Sequence, residues 1–285
     1  MALKLMYITN DPEIAKIAEN SGVDWIFVDL EVRGKAERQG HLDTVMSKHS
    51  IDDIKEVKKS LKKAKLLVRV NPLFENSKLE IEEVIAAGAD IIMFPFFTTK
   101  EEVNAFIDYV DGRVKTCLLL ETPKAVEALD DILNIKGIDY IHIGLNDLHL
   151  GYGMDFMFET LADGKVERIC HKVQEKGIPV GFGGIARLGL GHLPAEMVVA
   201  EHYRIGSEMV ILSRSFCNVA EINDIAEIKD IFRLGVNELR DYEKSLEDKD
   251  ETFFIENQKL VKTKVKEVAQ IIRNKKLEKV KWNYY

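Results

Sequence analysis

Ala87-Gly88-Ala89-Asp90-Ile91-Ile92-Met93-Phe94-Pro95-Phe96 carries the fold in miniature. The segment before it, Leu79 to Ala87, has helical periodicity. Gly88 stands where that helix should end, because glycine adopts the left-handed conformation without a Cβ penalty. Ile91 to Phe96 is then apolar on successive residues, the pattern of a strand covered on both faces. The same phrase of glycine, apolar residue, aspartate and strand recurs as Ser21-Gly22-Val23-Asp24-Trp25 and Lys136-Gly137-Ile138-Asp139-Tyr140. One αβ loop is used repeatedly.

Working outward, eight apolar runs can be read: Leu3 to Thr9, Trp25 to Glu31, Leu66 to Asn71, Ile91 to Phe96, Thr116 to Thr122, Tyr140 to Leu145, Ile178 to Gly183 and Met209 to Arg214. Helical patterns such as Asp52 to Ala64 and Glu101 to Tyr109 separate them. Asn10-Asp11-Pro12 places a cap before a first-turn proline, Ser50 precedes Asp52-Asp53, and Gly22, Gly137 and Gly177 mark helix ends. Strands alternating with helices imply a parallel sheet. No run has the composition of an exposed edge, which favours closure into a (β/α)8 TIM barrel over residues 1–216 rather than an open sheet.

Residues 217–285 continue as C-terminal helices. One is expected near Glu221 to Leu246, followed by the charged Glu247 to Glu251 and a second amphipathic helix. In the latter Phe254, Val261, Val265, Val268 and Ile272 fall on one stripe, which needs a partner surface. The partner is either the chain's own barrel or a neighbouring subunit, and the second choice implies a homo-oligomer.

Composition excludes more than it proposes. The net charge is −8, with a pI near 5.5, so the overall field repels a polyanion and nucleic acid is not an expected partner. No stretch approaches the roughly 18 apolar residues of a membrane span. Residues Met1 to Ile8 run too quickly into Asn10-Asp11-Pro12 to form a signal peptide. Cys117, Cys170 and Cys217 are odd in number and widely spaced, which suits a reducing cytoplasm and a packing role.

Barrel active sites lie at the C-terminal ends of the strands, so polar residues that end apolar runs are the first candidates. Asp29 and Glu31 end the second run, Arg69 and Asn71 the third, Glu121 the fifth, and the sixth ends in Gly144-Leu145-Asn146-Asp147. Neighbouring strands lie about 4.8 Å apart. Glu121 and Asp147 can therefore address one hard cation, Mg²⁺ or Mn²⁺, leaving positions for water and a bidentate 2-oxo acid; equally, one carboxylate could pair with Arg69 while the other caps a helix. Arg69 suits a carboxylate or an enolate oxygen, and is equally suited to an ion pair with Asp29 or Glu31. Gly181-Phe182-Gly183-Gly184 offers backbone N–H groups to an anion or merely a tight turn, and matches neither a Walker loop nor a dinucleotide fingerprint.

Taken together, Phe27-Val28-Asp29-Leu30-Glu31, Leu67-Val68-Arg69-Val70-Asn71, Ala87 to Pro95, Leu119-Leu120-Glu121-Thr122 and Tyr140 to Leu148 resemble the 4-hydroxy-2-oxoheptanedioate aldolase and citrate lyase β-subunit family. The resemblance covers residues 3 to 216. It implies a metal-dependent barrel in which Glu121 and Asp147 bind Mg²⁺ or a similar ion and Arg69 contacts the 2-oxo acid. It further implies that pyruvate, or a fragment like it, chelates the metal, and that metal and arginine stabilise its enolate as a carbon–carbon bond forms or breaks. Arg69, Gly144, Asn146 and Asp147 are then the substrate-binding set. Arg69, Asp29, Glu31 and His41 are the catalytic one.

The chain departs from this family after the second run, and its Thr98 to Lys115 segment lacks the long insertion common in the aldolase branch. The aldolase branch carries Asp-x-Glu-His, whereas this sequence reads Asp29-Leu30-Glu31-Val32. His41, in the charged stretch Arg33 to Asp43, is the replacement base to consider, ahead of His149 and His192. Arg33, Lys35 and Arg38 could hold an acidic or phosphorylated arm of the substrate. The leading expectation is a metal-dependent aldolase joining pyruvate to an aldehyde or acyl partner. A CoA-thioester lyase and a non-catalytic metabolite-binding barrel are the alternatives.

Overall fold

The computed structural model describes residues 2–33 and 49–282, with 278–282 given by backbone alone. The first half alternates β1 (Lys4–Ile8), α1 (Pro12–Asn20), β2 (Trp25–Asp29), α2 (Ile51–Ser60), β3 (Lys65–Arg69), α3 (Ser77–Ala87), β4 (Ile91–Phe94) and α4 (Lys100–Val110). Next come β5 (Lys115–Leu120), the short α5 (Pro123–Glu127) and α6 (Leu129–Ile132), and β6 (Tyr140–Ile143). They lead to α7 (Leu145–Gly151), α8 (Glu159–Ala162), α9 (Lys165–Glu175), β7 (Val180–Ile185), α10 (Ala195–Ile205) and β8 (Met209–Leu212). Two long helices, α11 (Ile225–Glu247) and α12 (Glu251–Trp282), complete the chain. The eight strands are parallel and close in sequence order, β8 pairing with β1.

The repeated loop explains part of the closure. Gly22, Gly88 and Gly137 have φ of +98°, +107° and +93°, the left-handed turn that ends each preceding segment. The aspartate two residues on then reaches back to the start of the previous strand. Asp24 accepts the Leu5 N–H at 2.8 Å, Asp90 that of Leu66 at 2.7 Å and Asp139 that of Thr116 at 2.9 Å. Each carboxylate thus satisfies a strand-end donor that has no ladder partner, and sets the level at which the next strand enters.

Strand alternation divides the core. Met6, Trp25, Phe27, Leu67, Ile91, Met93, Cys117, Leu119 and Met209 fill the barrel, while residues between them, such as Ile26, Leu66 and Ile92, pack outward against helices. The same period carries Asp29, Arg69 and Glu121 to the inner side at the C-terminal rim, two residues after Phe27, Leu67 and Leu119. The strands are shorter than the apolar runs suggested, so Glu31, Asn71 and Glu121 lie just past their ends.

The glycine segment after Ile178 requires a correction. Gly181-Phe182-Gly183-Gly184 lies inside β7, with a register shift between Gly181 and Gly184. A Cβ on Gly181 would stand 2.1 Å from Met209 Cγ, and one on Gly183 would stand 2.7 Å from Leu145 Cδ1. Gly181 and Gly183 thus admit close neighbours inside the strand.

Helix α11 seals the barrel's flank. Phe232 meets Tyr7 edge-to-face with centroids 4.7 Å apart, and buried Glu243 accepts the Leu3 N–H at 2.7 Å. Along α12, Val261, Val265 and Val268 are buried, with Phe254 and Ile272 partly so. The chain itself covers this stripe, through α10 and α8. Asn257 ties α12 to Met197 and Glu201 of α10, and Arg273 and Lys276 pair with Asp155. No described helix is long and apolar enough to cross a membrane. All three cysteines are free and buried.

Two buried imidazoles make the fold acid-sensitive. His142 of β6 is pulled from 6.5 to about 4 by burial, against the opposing hydrogen bond of its Nε2 with the Gly183 carbonyl at 3.1 Å. His202 of α10, stacked on Phe182 at 3.7 Å, is lowered further by burial and by His142. Because the folded form resists protonation, the unfolded chain takes up protons first as pH falls below 6.5. The stability these groups provide above that pH is then lost down to about 4. His142 alone accounts for about 3 kcal/mol by the lower end of that window. Urea unfolding between pH 7 and pH 5 should therefore show falling stability, with a flatter slope in His142→Gln. Equal slopes would remove His142 from the account.

Candidate active site

Register brings Asp29 and Arg69 side by side, since they are paired residues of β2 and β3. Arg69 Nε and Nη2 donate to the two oxygens of Asp29, both at 2.8 Å. Its Nη1 lies 3.3 Å from Glu31 Oε2. Asp29 and Glu31 side chains are 1% exposed and that of Arg69 is 13% exposed, so the arginine is the member reachable from the mouth. Burial alone would lower the Arg69 pKa. The charge and hydrogen bonds of Asp29, then the charges of Glu31 and Glu121, more than reverse that, so Arg69 is a permanent cation. Of its five N–H groups Asp29 takes only two.

Asp29 does more than neutralise Arg69. Its Oδ1 also accepts the Glu31 N–H at 3.1 Å, and its own N–H donates to His49 Nδ1 at 2.9 Å. Accepting there makes the neutral tautomer of His49 the one with its proton on Nε2.

Glu121 stands immediately after β5. Its Oε1 accepts the Phe96 N–H at 3.0 Å, and Phe96 adopts φ +53°, an uncommon conformation for a residue with a bulky side chain. On the other side is Gly144. A Cβ there would lie 2.7 Å from Glu121 Oε2 and 2.8 Å from Glu121 Cβ, so glycine leaves the space that the carboxylate occupies. The Gly144 N–H bonds Leu120 O at 3.0 Å and joins this corner to β6. Asp147, 9% exposed, follows in the first turn of α7 beside the half-buried Asn146.

The segment leaving β2 is held by Asn71. Its Oδ1 accepts the N–H groups of Val32 and Arg33 at 3.0 and 3.1 Å. Its amide and backbone N–H donate to Glu80, at 2.5 and 3.1 Å. Burial raises the Glu80 pKa, with the Asn71 bonds and Arg33 acting against it. Arg33 lies over the Phe74 ring at 3.9 Å. Val32, at the position of the family's histidine, is 57% exposed.

Of the expected histidines, His41 lies outside the described residues, as do Lys35 and Arg38. His192 is exposed in the loop before α10. His149 is buried with Nδ1 donating to the Leu145 carbonyl at 3.2 Å, and burial lowers its pKa. Phe96, Gly144's packing role, His49 and the Asn71 clamp were not legible beforehand. Only Asn71 had a signal, its place at the end of the third apolar run.

Among the described residues no group of three or more His, Cys, Asp or Glu side chains could hold a metal ion. The two candidate ligands, Glu121 and Asp147, are carboxylates on consecutive βα units. That pair fits Mg²⁺ or Mn²⁺, which take one or two protein carboxylates and keep several waters. The local charge agrees, since Asp29, Glu31 and Glu121 surround a single guanidinium.

The chain is similar to known proteins over most of its length. The chain is 23% identical over 207 residues to 2-keto-3-deoxy-L-rhamnonate aldolase of Escherichia coli, covering 61% of this chain and 71% of that protein. Its fold resembles an HpcH/HpaI aldolase from Desulfitobacterium hafniense, with TM-score 0.58, 17% identity, and 84% and 93% of the two chains covered. It also resembles citrate synthase SbnG, with TM-score 0.57, 18% identity, and coverage of 75% and 87%. The HpcH/HpaI aldolase/citrate lyase family model matches residues 4–178, the span from β1 to the approach of β7 that contains every strand-end carboxylate and Arg69. With more than half of the chain matched, this protein belongs to the HpcH/HpaI aldolase/citrate lyase family.

Proposed function

We propose that this protein is a metal-dependent carbon–carbon lyase that makes or breaks a bond to pyruvate or a similar 2-oxo acid. The observation that carries the reading is the gathering of Asp29, Glu31 and Glu121 around Arg69 at the C-terminal rim, with Asp147 in the turn after Gly144. Glu121 and Asp147 would hold Mg²⁺ or Mn²⁺. When bound, such an ion supplies Lewis-acid polarisation of the 2-oxo group.

The chain's own residues do the rest. Arg69 keeps N–H groups beyond those given to Asp29, and a planar cation held in one orientation stabilises oxyanion charge at little reorganisation cost. Asp29 is the positioning residue, gripping the fork on two sides. Both its oxygens bond Arg69 at 2.8 Å, whereas Glu31 approaches the guanidinium with one oxygen at 3.3 Å, and we assign to Glu31 the proton transfer at the methyl carbon of the pyruvate fragment. Gly144 and Phe96 keep the Glu121 carboxylate at the rim.

Exchange of pyruvate methyl protons with deuterated water tests the half-reaction without knowledge of the second substrate. Exchange should require protein and Mg²⁺ or Mn²⁺ and stop with chelator. Its absence with every divalent metal would refute the reading, and acetyl-CoA release from a malyl-type thioester would favour a CoA-thioester lyase instead.

A further inference from the structure

The loop leaving β7 holds a cation that the catalytic corner does not use. Arg187 Nε is buried and has no hydrogen-bond partner among the described residues. A guanidinium is always charged, and a buried nitrogen left without an acceptor is costly. Its stem is held in place: a Cβ on Gly235 of α11 would stand 3.4 Å from both Cγ and Cδ of Arg187. The Arg187 N–H is directed at Ser215 O at 3.5 Å, and Ser213 N–H bonds Ile185 O at 2.9 Å, so the turn after β8 is stitched to the end of β7. Ser213 and Ser215 bring two hydroxyls to that turn. Glu196, in the first turn of α10, spends Oε1 on the Gly189 N–H at 2.6 Å, and its Oε2 has no hydrogen-bond partner among the described residues.

We infer that Arg187 and the Ser213–Ser215 turn form an oxyanion subsite, between the ends of β7 and β8, for the fragment that is not pyruvate. The assignment of that fragment rests on the function proposed above. The loops after the seventh and eighth strands are where barrels of this class commonly bind phosphate. The seam is two strands along the rim from the Glu121 and Gly144 corner, about 10 Å at the spacing of neighbouring strands. An aldehyde or acyl chain of a few carbons ending in phosphate or carboxylate would span that distance.

Binding can be read without turnover. Inorganic phosphate and malonate, titrated separately by calorimetry, should show which oxyanion is preferred, with binding weakened at least tenfold in Arg187→Gln. Arg187→Lys, which keeps the charge but not the Nε donor, should fall between, and thermal unfolding would verify that both variants fold. The inference is overturned if neither anion binds the wild-type protein, or if both variants bind as it does. Pyruvate exchange, measured in parallel, reports on the aldol reading alone, so either idea can fail without the other.

Discussion

Glu121→Gln is expected to lower turnover by a factor of about 10³ while leaving the fold intact, an effect of the size seen when one electrostatic contact to a developing charge is removed. The amide oxygen of glutamine can still accept the Phe96 N–H, and its volume matches the space beside Gly144, so packing is unchanged. What is lost is one negative charge from the proposed Glu121 and Asp147 pair. Mn²⁺ affinity, followed by electron paramagnetic resonance, should fall with turnover. A variant that binds Mn²⁺ as the wild-type protein does would place the metal elsewhere.

The second large effect is on stability. Arg69→Met is expected to destabilise the protein by about 3–5 kcal/mol, because Asp29 and Glu31, each 1% exposed, would keep their charges without the cation that compensates them. In a chain of this size that corresponds to a fall in melting temperature of about 10 °C. Adding Asp29→Asn to the same chain should restore part of it, since one of the stranded charges is then gone. Urea unfolding of the two single variants and the double variant gives the coupling directly. A loss under about 1 kcal/mol for Arg69→Met would mean that the carboxylates find another partner.

How much of the site could be read in advance follows from where each residue sits. Asp29, Arg69 and Glu121 end apolar runs, and period-two alternation places them inward once the runs are known to be strands. Arg69 was open between anion binding and an ion pair. The structure supplies the pair with Asp29 and Glu31, while the Arg69 side chain keeps 13% exposure. Phe96 was hidden because nothing in Pro95-Phe96-Phe97 marks a left-handed residue. Asn71 was visible as a strand-end amide, but its grip on Val32 and Arg33 joins residues 38 and 39 positions apart.

Local chemistry is enough to specify the alternating strands and helices, the repeated glycine-aspartate turn and the rim location of the carboxylates. Those features depend on neighbours within a few residues, through helix-ending glycines and continuous apolar runs. Tertiary structure alone decided that Gly181 to Gly184 is strand packed under Met209 and Leu145, and that the α12 stripe is covered by α10 and α8. It alone showed that Asp29 locks Arg69 and that Gly144 makes room for Glu121. Each of these depends on the separation of atoms brought together by barrel closure, a distance that sequence spacing does not encode.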